Sequence, residues 1–236
     1  MIRQNSMFYS IIFVLIFGSA HSLGSASVVM AAPGNVEEFV HQIYFEGVPY
    51  EQASQYGPDA VPKLLAMLKD PNEKAFRSNI IVTLGIIGDD RAVEPMLDVL
   101  ESGSDKLMRE DFATKSSVLM SLGYLINKSQ NTKALAYLKS HTTPEGWQGS
   151  KLITAEGLQA SSDERSQQLS TLAVIGLALS GHPEAKSFLK SLGDNVKALG
   201  PTTFATQMSS VVNEAMKAHE AITKDGLAAY YQKAKR

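Results

Sequence analysis

A carboxylate and a guanidinium stand two positions apart at Asp89 and Arg91, directly after Gly88. Such a pair could bind an anion or assist a proton transfer. An aspartate at this position also suits the start of a helix, where its side chain accepts hydrogen bonds from the first free backbone N–H groups. The two residues therefore fit either an active site or a helix cap, and the surrounding sequence has to distinguish them.

The sequence gives little support for metal or nucleophile chemistry. Glu37 and His41 are four residues apart, so they share one face of a helix and could supply two metal ligands. The chain has no cysteine, no His-x-x-x-His pair and no Gly-x-Ser-x-Gly motif. No glycine-rich phosphate loop follows a predicted strand. We therefore predict no metal, no cofactor and no enzymatic activity.

The charge balance argues against nucleic acid as a partner. The 236-residue chain has 22 lysines and arginines against 24 aspartates and glutamates, which gives a formal net charge of −2. Proteins that bind nucleic acid normally carry a basic excess that attracts the phosphate backbone. Hydrophobic residues make up 44% of the chain, which is enough to form a substantial core.

The N-terminal segment has the organisation of a secretory signal peptide. Arg3 is its only charge, and a largely apolar run over residues 7–17 follows. This run is shorter than the roughly 20 residues that a membrane-spanning helix needs. We predict a signal peptide over residues 1–22, with cleavage as late as residue 31 or an uncleaved anchor as alternatives. The mature protein is then expected in the periplasm or outside the cell, without stable membrane insertion.

Apolar residues recur from Asn35 onward at the three- and four-residue spacing of amphipathic helices. The first such stripe predicts a helix that ends near Gly47 and has Ile43 on its apolar face. No stretch alternates convincingly with the two-residue period of a strand, although short strands stay open as an alternative around residues 148–156. We therefore predict an all-α protein, with capping helices at its C-terminal end over residues 201–235.

A glycine returns at the same place in three predicted helices, as Gly85, Gly123 and Gly176. Glycine in a helix interior is less favourable than alanine by about 1 kcal/mol. Because three helices share this unfavourable residue, we expect a neighbouring helix to cross closely at each glycine. The chain is thus predicted to repeat an antiparallel helix hairpin whose units stack on one another.

The segment LGIIGDDRAVEPMLDVL, residues 84–100, resembles the phycobilisome-lyase type of HEAT-like repeat. The units of that family read roughly A-x-x-A-L-G-x-I-G-D-x-R-A-[VI]-x-P-L. Gly85, Asp89, Arg91 and Pro95 stand at pattern positions. The flanking hairpins keep the apolar and small positions but lose the Gly-Asp-x-Arg element, so this unit carries most of the resemblance.

The resemblance extends over residues 35–192 and implies a short right-handed α-solenoid of about four to five antiparallel helix pairs. It also implies that Asp89 and Arg91 cap helices and join adjacent repeats through hydrogen bonds to turn backbone. Because solenoids use a large stacked face for binding, we predict a non-enzymatic scaffold for an unidentified protein or peptide.

Aromatic residues supply the candidate contacts for such a partner, because they carry much of the energy of interfaces. Trp147 lies in an insertion over residues 141–166 that interrupts the repeats. Tyr44, Tyr50 and Tyr56 form a second group near the N-terminal end. For both groups, packing against the local core is the alternative interpretation.

Two other functions stay open from the resemblance. One is an enzyme on a HEAT scaffold, and the other is a small-molecule binding protein of the tetrapyrrole type that the family name suggests. The tetrapyrrole-handling members act inside cells, so the predicted export opposes that alternative. The acidic charge balance opposes a DNA-repair glycosylase on the same scaffold.

Overall fold

A computed structural model describes residues 34–198 and 202–234, and the chain forms eleven α-helices within these ranges. The predicted signal peptide at residues 1–22 and the alternative cleavage point at residue 31 lie outside them. The helices are α1 Val36–Val40, α2 Tyr50–Ala53, α3 Val61–Lys69, α4 Arg77–Ile87, α5 Val93–Glu101, α6 Arg109–Ser129, α7 Thr132–Ser140, α8 Lys151–Thr154, α9 Ser162–Ser180, α10 Pro183–Ala198 and α11 Thr203–Ala234.

The all-α prediction is confirmed. In the part of the chain that the structure describes, extended pairing is limited to one isolated bridge between Lys106 and Glu156. Of the short strands considered near residues 148–156, the structure shows only this bridge at Glu156. Short 3-10 turns at Pro58–Ala60 and Asp90–Ala92 lead directly into helices α3 and α5.

The helices stack as a HEAT-like solenoid of antiparallel hairpins, as the sequence predicts. Helix α4 packs against α6, and α6 packs against α9, so the first helices of successive hairpins form one layer. Each is followed by its partner in the hairpins α4–α5, α6–α7 and α9–α10. Helix α3 precedes them as the second helix of an incomplete first unit. We call α3, α5, α7 and α10 the second-helix layer.

The two layers differ in burial because only one of them is covered on both sides. Every residue of α9 from Leu169 to Ser180 is buried. Helix α5 buries only a stripe of four residues, which begins at Val93 and ends at Leu100. A helix buried all around belongs to a core, whereas a one-sided stripe belongs to a surface helix. The second-helix layer therefore presents its polar side to solvent.

Neighbouring first helices approach each other at backbone distance where the repeated glycines lie. A Cβ atom on Gly85 would stand 2.5 Å from the carbonyl oxygen of Ser121. On Gly123 it would stand 2.3 Å from the carbonyl oxygen of Gly176. On Gly176 it would stand 2.4 Å from that of Leu119. The helix–helix contact thus occupies the space that any larger side chain would need.

Helix α1 ends at Val40, so the prediction of a helix reaching Gly47 is wrong. The side-chain amide of Asn79 donates hydrogen bonds to the carbonyl oxygens of Val40, at 2.9 Å, and Gln42, at 3.0 Å. These bonds hold the chain in a loop on leaving α1. Ile43 consequently lies outside the core, with 79% of its surface exposed.

The insertion predicted at residues 141–166 is a folded segment and contains α8. The guanidinium of Arg165, itself buried, donates from Nη1 to the carbonyl oxygens of Leu152, at 3.2 Å, and Ala155, at 2.8 Å. Because these carbonyls belong to the end of α8 and the residue after it, Arg165 fixes α8 against the start of α9.

Helix α11 packs against both α9 and α10 and covers the last hairpin. Its helical geometry breaks at Gly226, where φ is 82° and ψ is 162°. The residues after this break bring α11 into contact with α2, near the opposite end of the chain. The C-terminal helix therefore connects the last hairpin with the N-terminal elements.

Candidate interaction surface

Tyr50 belongs to a cluster of three tyrosines in which Tyr50 and Tyr124 are buried and Tyr231 is half-buried. Its ring centroid lies 5.3 Å from that of Tyr231 and 6.0 Å from that of Tyr124. The hydroxyl groups of Tyr124 and Tyr231 are hydrogen-bonded to each other. Burial raises the pKa of Tyr124 to about 12, so its hydroxyl stays protonated. With only 9% of its surface exposed, Tyr50 joins α2 to α11 and is not available as a partner contact.

Tyr44 and Tyr56 are half-buried on either side of Phe39. Their ring centroids lie 5.5 Å and 5.2 Å from that of Phe39. The hydroxyl of Tyr44 donates to the carbonyl oxygen of Phe39 at 2.9 Å, and burial raises the pKa of Tyr44 to about 12. Tyr44 thus attaches the chain that follows α1 to the end of that helix.

Residues 41–49, which we call the apolar loop, expose two large hydrophobic side chains. Phe45 has 97% of its surface exposed, and Ile43 has 79%. They flank Tyr44, whose ring points into the aromatic support just described. The half-buried Tyr44 therefore fixes the loop to the aromatic residues beneath it, while the apolar residues on either side of Tyr44 stay exposed to solvent.

Sequence reasoning missed this pair for a specific reason. Ile43 continues the spacing of Val36, Phe39 and Val40, so the pattern places it in the core. Phe45 lies outside that stripe, so the pattern predicts nothing about it. The signal that could have found them is the run Ile-Tyr-Phe just before Glu46-Gly47, because three large apolar residues in a row do not fit a one-sided helix.

Trp147 lies in the core of the insertion, so it is not exposed in the way a partner contact requires. Its indole has 1% of its surface exposed. The indole N–H donates to the carbonyl oxygen of His141 at 3.0 Å, and the two rings lie 4.6 Å apart. The ring therefore packs the local core, which is the alternative interpretation noted for this residue.

Asp89 and Arg91 form a helix cap that also joins two repeats. Asp89 Oδ1 accepts from the backbone N–H of Arg91 at 2.9 Å, and the side chains pair at 2.7 Å. This contact with Arg91 holds the pKa of Asp89 below its usual range. Arg91 Nη2 also donates to the carbonyl oxygen of Pro58 at 2.9 Å, in the turn before α3. Pro95 lies half-buried in the first turn of α5.

The turn that contains Asp89 is connected to the next hairpin as well. Asn131 donates from its side-chain amide to Asp90 Oδ1 at 3.0 Å, and its own Oδ1 caps α7 at Ala134 N. Successive turns are therefore bonded in series along one edge of the stack. Asp89 and Arg91 take part in this structural series, through the hydrogen bonds just described.

Glu37 and His41 do not converge on a common point. Glu37 pairs with Lys63 at 2.7 Å, whereas His41 Nε2 lies 2.7 Å from a carboxylate oxygen of Glu73. Over residues 34–198 and 202–234, no group of three or more histidines and carboxylates has the arrangement of a metal site. Within the same ranges, no helix has the length and apolar content needed to cross a membrane.

The exposed side of the second-helix layer is charged and linked across repeats. Lys133 of α7 pairs with Glu94 of α5, and Lys139 of α7 pairs with Glu184 of α10 at 3.4 Å. Lys139 also lies over the half-buried ring of Phe188, 5.6 Å from its centroid. This face has few large apolar side chains, so the apolar loop differs from it in character.

A cavity of about 290 Å³ lies where the end of α5 meets the beginnings of α4 and α6. Three cationic side chains and one carboxylate line it, namely Lys74, Arg77, Lys115 and Asp111. The cavity therefore gathers positive charge. It does not present the paired carboxylates that acid–base catalysis often uses.

Comparison with known proteins is informative for one part of the chain. Residues 52–115 match the family described as HEAT repeats. No curated protein and no solved structure gives a match. The matched segment includes helices α3, α4 and α5 and the turn with Asp89 and Arg91. This segment is thus similar to HEAT repeats, and the stacked hairpins around it form a helical scaffold of the same kind.

Proposed function

We propose that this chain is a non-enzymatic scaffold that binds a protein or peptide partner through the apolar loop. The observation that carries the proposal is the exposure of Phe45 and Ile43 on a loop whose base is fixed. Clusters of exposed apolar side chains commonly mark interaction sites, and Ile43 and Phe45 are two residues apart on one loop. HEAT repeats generally serve as scaffolds for protein interactions, which agrees with this assignment.

The energetics favour such a loop as an anchor. Removing a phenylalanine side chain from water contributes about 1.5–3 kcal/mol, and an isoleucine contributes a similar amount. Binding normally costs free energy because flexible groups become ordered. Here Tyr44 and the amide of Asn79 already hold the loop, through hydrogen bonds to Phe39 and to Val40 and Gln42. Less ordering is then required when a partner covers Phe45.

Export of the mature protein to the periplasm or outside the cell is part of the proposal. It is supported by Arg3 followed by the apolar run at residues 7–17. Fractionation of cells expressing the full chain tests it, together with N-terminal sequencing of the product. Recovery of the intact N-terminus in the cytosolic fraction would contradict export.

Paired variants test the binding role of the loop. We expect Phe45→Ser, alone or with Ile43→Ser, to weaken partner binding strongly while leaving the melting temperature within about 2 °C, because an exposed ring contributes little to folding. Met108→Ser is the matched control, since Met108 is a large apolar residue with 52% of its surface exposed outside the apolar loop.

The two variants give opposite expectations for a partner that co-purifies with the full chain from its own cells. The partner should be retained by Met108→Ser and lost from Phe45→Ser. Equal retention by both variants would refute the role of the apolar loop. Loss from both, with unchanged melting temperatures, would also refute it, because the effect would then not depend on the loop.

A further inference from the structure

The cavity at the end of α5 has a charge arrangement that the scaffold role does not explain. It is bounded by the first turn of α4, the segment after α5 and the first two turns of α6. Its volume of about 290 Å³ lies near the lower end of the range for small-molecule sites. With three cations and one carboxylate in its lining, it carries an excess of two positive charges.

Two of the three cations are already engaged by close oxygen partners. Lys115 donates to the carbonyl oxygens of Val99 and Ser102 and, at 2.8 Å, to Ser102 Oγ, so it caps the C-terminal end of α5. Lys74 pairs with Asp111 at 3.0 Å. The carboxylate is therefore engaged with Lys74, and the negative end of the helix is engaged with Lys115.

Arg77 is the one of these three cations that takes no part in those contacts. Among the described residues it forms no ion pair, and its one hydrogen bond is long, from Nη2 to the carbonyl oxygen of Asp70 at 3.4 Å. Its Nε–H is buried and, within the same residues, has no acceptor. A guanidinium has five N–H donors, and a buried donor without a partner costs about 1–3 kcal/mol.

We propose that this cavity is a binding site for an oxyanion group, a carboxylate or a phosphate, held by Arg77. The planar guanidinium matches both groups because it can donate two parallel hydrogen bonds to their oxygens. The hydroxyls of Ser104 and Thr114 also line the cavity and can donate to the remaining oxygens. The excess of two positive charges attracts such a ligand.

The size of the cavity limits the ligand to a small one. The carboxylate could come from a free dicarboxylic acid or from an acidic side chain, and the phosphate from inorganic phosphate or a phosphomonoester. Burial lowers the pKa of Lys115; the Asp111 carboxylate opposes that shift, and the charge of Arg77 adds to it. An anion beside Lys115 and Arg77 would also oppose it. The cavity shares no lining residue with the apolar loop, so the two sites are tested separately.

Protein-observed NMR titration of the full chain at low ionic strength tests the site. Inorganic phosphate, succinate and a short glutamate-rich peptide are titrated separately, so that the three arms distinguish the source of the oxyanion. We expect at least one of them to shift the backbone signals of Ser102, Gly103, Ser104 and Leu107, which line the cavity. Absence of any shift there up to 20 mM of each ligand would overturn the proposal.

Charge-matched variants assign the binding to Arg77. Arg77→Gln is expected to weaken the affinity at least tenfold, and Arg77→Lys severalfold, because lysine keeps the charge but loses the fork. Lys190→Gln removes the same charge from an exposed position on α10 and should change the affinity less than twofold. Unchanged affinity in a folded Arg77→Gln chain would refute the assignment.

A measurement on the unmodified sequence covers the case in which the Arg77 variants do not fold. Phenylglyoxal modifies arginine side chains, and mass spectrometry follows the rate at each position. The ligand that gives the NMR shifts should slow modification of Arg77 severalfold and leave Arg91, which is in the turn before α5, unaffected. Equal rates at Arg77 with and without ligand would overturn the proposal.

Discussion

Gly123 shows at the scale of one residue how closely the stacked hairpins approach. Its missing side chain leaves room for the backbone of α9, because a Cβ atom would stand 2.3 Å from the carbonyl oxygen of Gly176. No real Cβ atom tolerates that distance to a backbone oxygen. The small residue therefore sets the separation of α6 and α9.

We expect Gly123→Ala to lower the free energy of unfolding by about 2 kcal/mol or more, since overpacking outweighs the roughly 1 kcal/mol gain in helix propensity. Gly57→Ala is the matched control, because nothing lies within 4 Å of the added Cβ and its φ of −100° suits alanine. Urea denaturation compares the two. Similar free energies for both variants would contradict the close approach.

Asp89 accepts two separable hydrogen bonds from Arg91, one from its backbone N–H and one from its guanidinium. Asp89→Ala removes the cap and should cost about 1–2 kcal/mol in the free energy of unfolding. Asp89→Asn keeps an oxygen that accepts from Arg91 N and should cost clearly less. Urea denaturation at low and high salt measures both changes. An equal loss for Asn and Ala would show that the charge, and not the cap, dominates.

At the scale of elements, helices were predictable where burial follows a simple stripe, and the loops were not. The spacing of Val36, Phe39 and Val40 predicted α1, but the end of that helix depends on Asn79, which is 39 residues further along the chain. The cap at Asp89 followed from local residue types. The burial of Trp147 depends on its contacts with His141, and the ordered insertion depends on Arg165. The spacing of apolar residues along the sequence does not predict those contacts.

The contact between α2 and α11 is a feature of tertiary structure that the repeat pattern could not predict. Tyr231→Phe removes its hydroxyl and leaves the buried hydroxyl of Tyr124 without this partner, so we expect a loss of about 1–2 kcal/mol. If the two hydroxyls act as a pair, the double variant Tyr124→Phe, Tyr231→Phe should cost little more than either single one. Fully additive losses in a double-mutant cycle would contradict the pairing.

Helix α11 also brings a buried histidine against the turn before α10. Burial lowers the pKa of His219, and the charges of Lys186 and His182 lower it further, against the effect of the hydrogen bond to the carbonyl oxygen of His182. The unfolded chain therefore binds a proton more readily than the folded chain. The folded state keeps its full stability above a pH of about 6.5, the ordinary histidine pKa, and loses stability as the pH falls below it.

We expect the free energy of unfolding to fall between pH 7 and pH 5, by at most about 1.4 kcal/mol per pH unit for this one group. In His219→Gln the free energy of unfolding should fall less over this pH range. The difference in free energy between the two chains at pH 7 is the reference, because it contains the effect of the substitution without the titration. Urea denaturation across this range measures it. An identical decline in both chains would show that His219 does not titrate in the expected sense.

At the scale of the whole molecule, the residues that stabilise the fold and the loop proposed for binding lie in different parts. The first helices, the glycine crossings and the bonded turns build a rigid stack whose outer faces are largely polar. The apolar loop stands outside that stack, held by Tyr44 and Asn79, with Phe45 exposed. Because of this separation, we expect that Phe45 can be changed without loss of the fold.

Site-specific photocrosslinking tests this division most directly. A photoreactive phenylalanine analogue replaces Phe45 in one full-length chain and Met108 in another, and each is irradiated in the cells that normally make the protein. We predict a discrete crosslinked product from position 45 that position 108 does not give. The same product from both positions, or none from position 45 with the folded chain present, would contradict binding through the apolar loop.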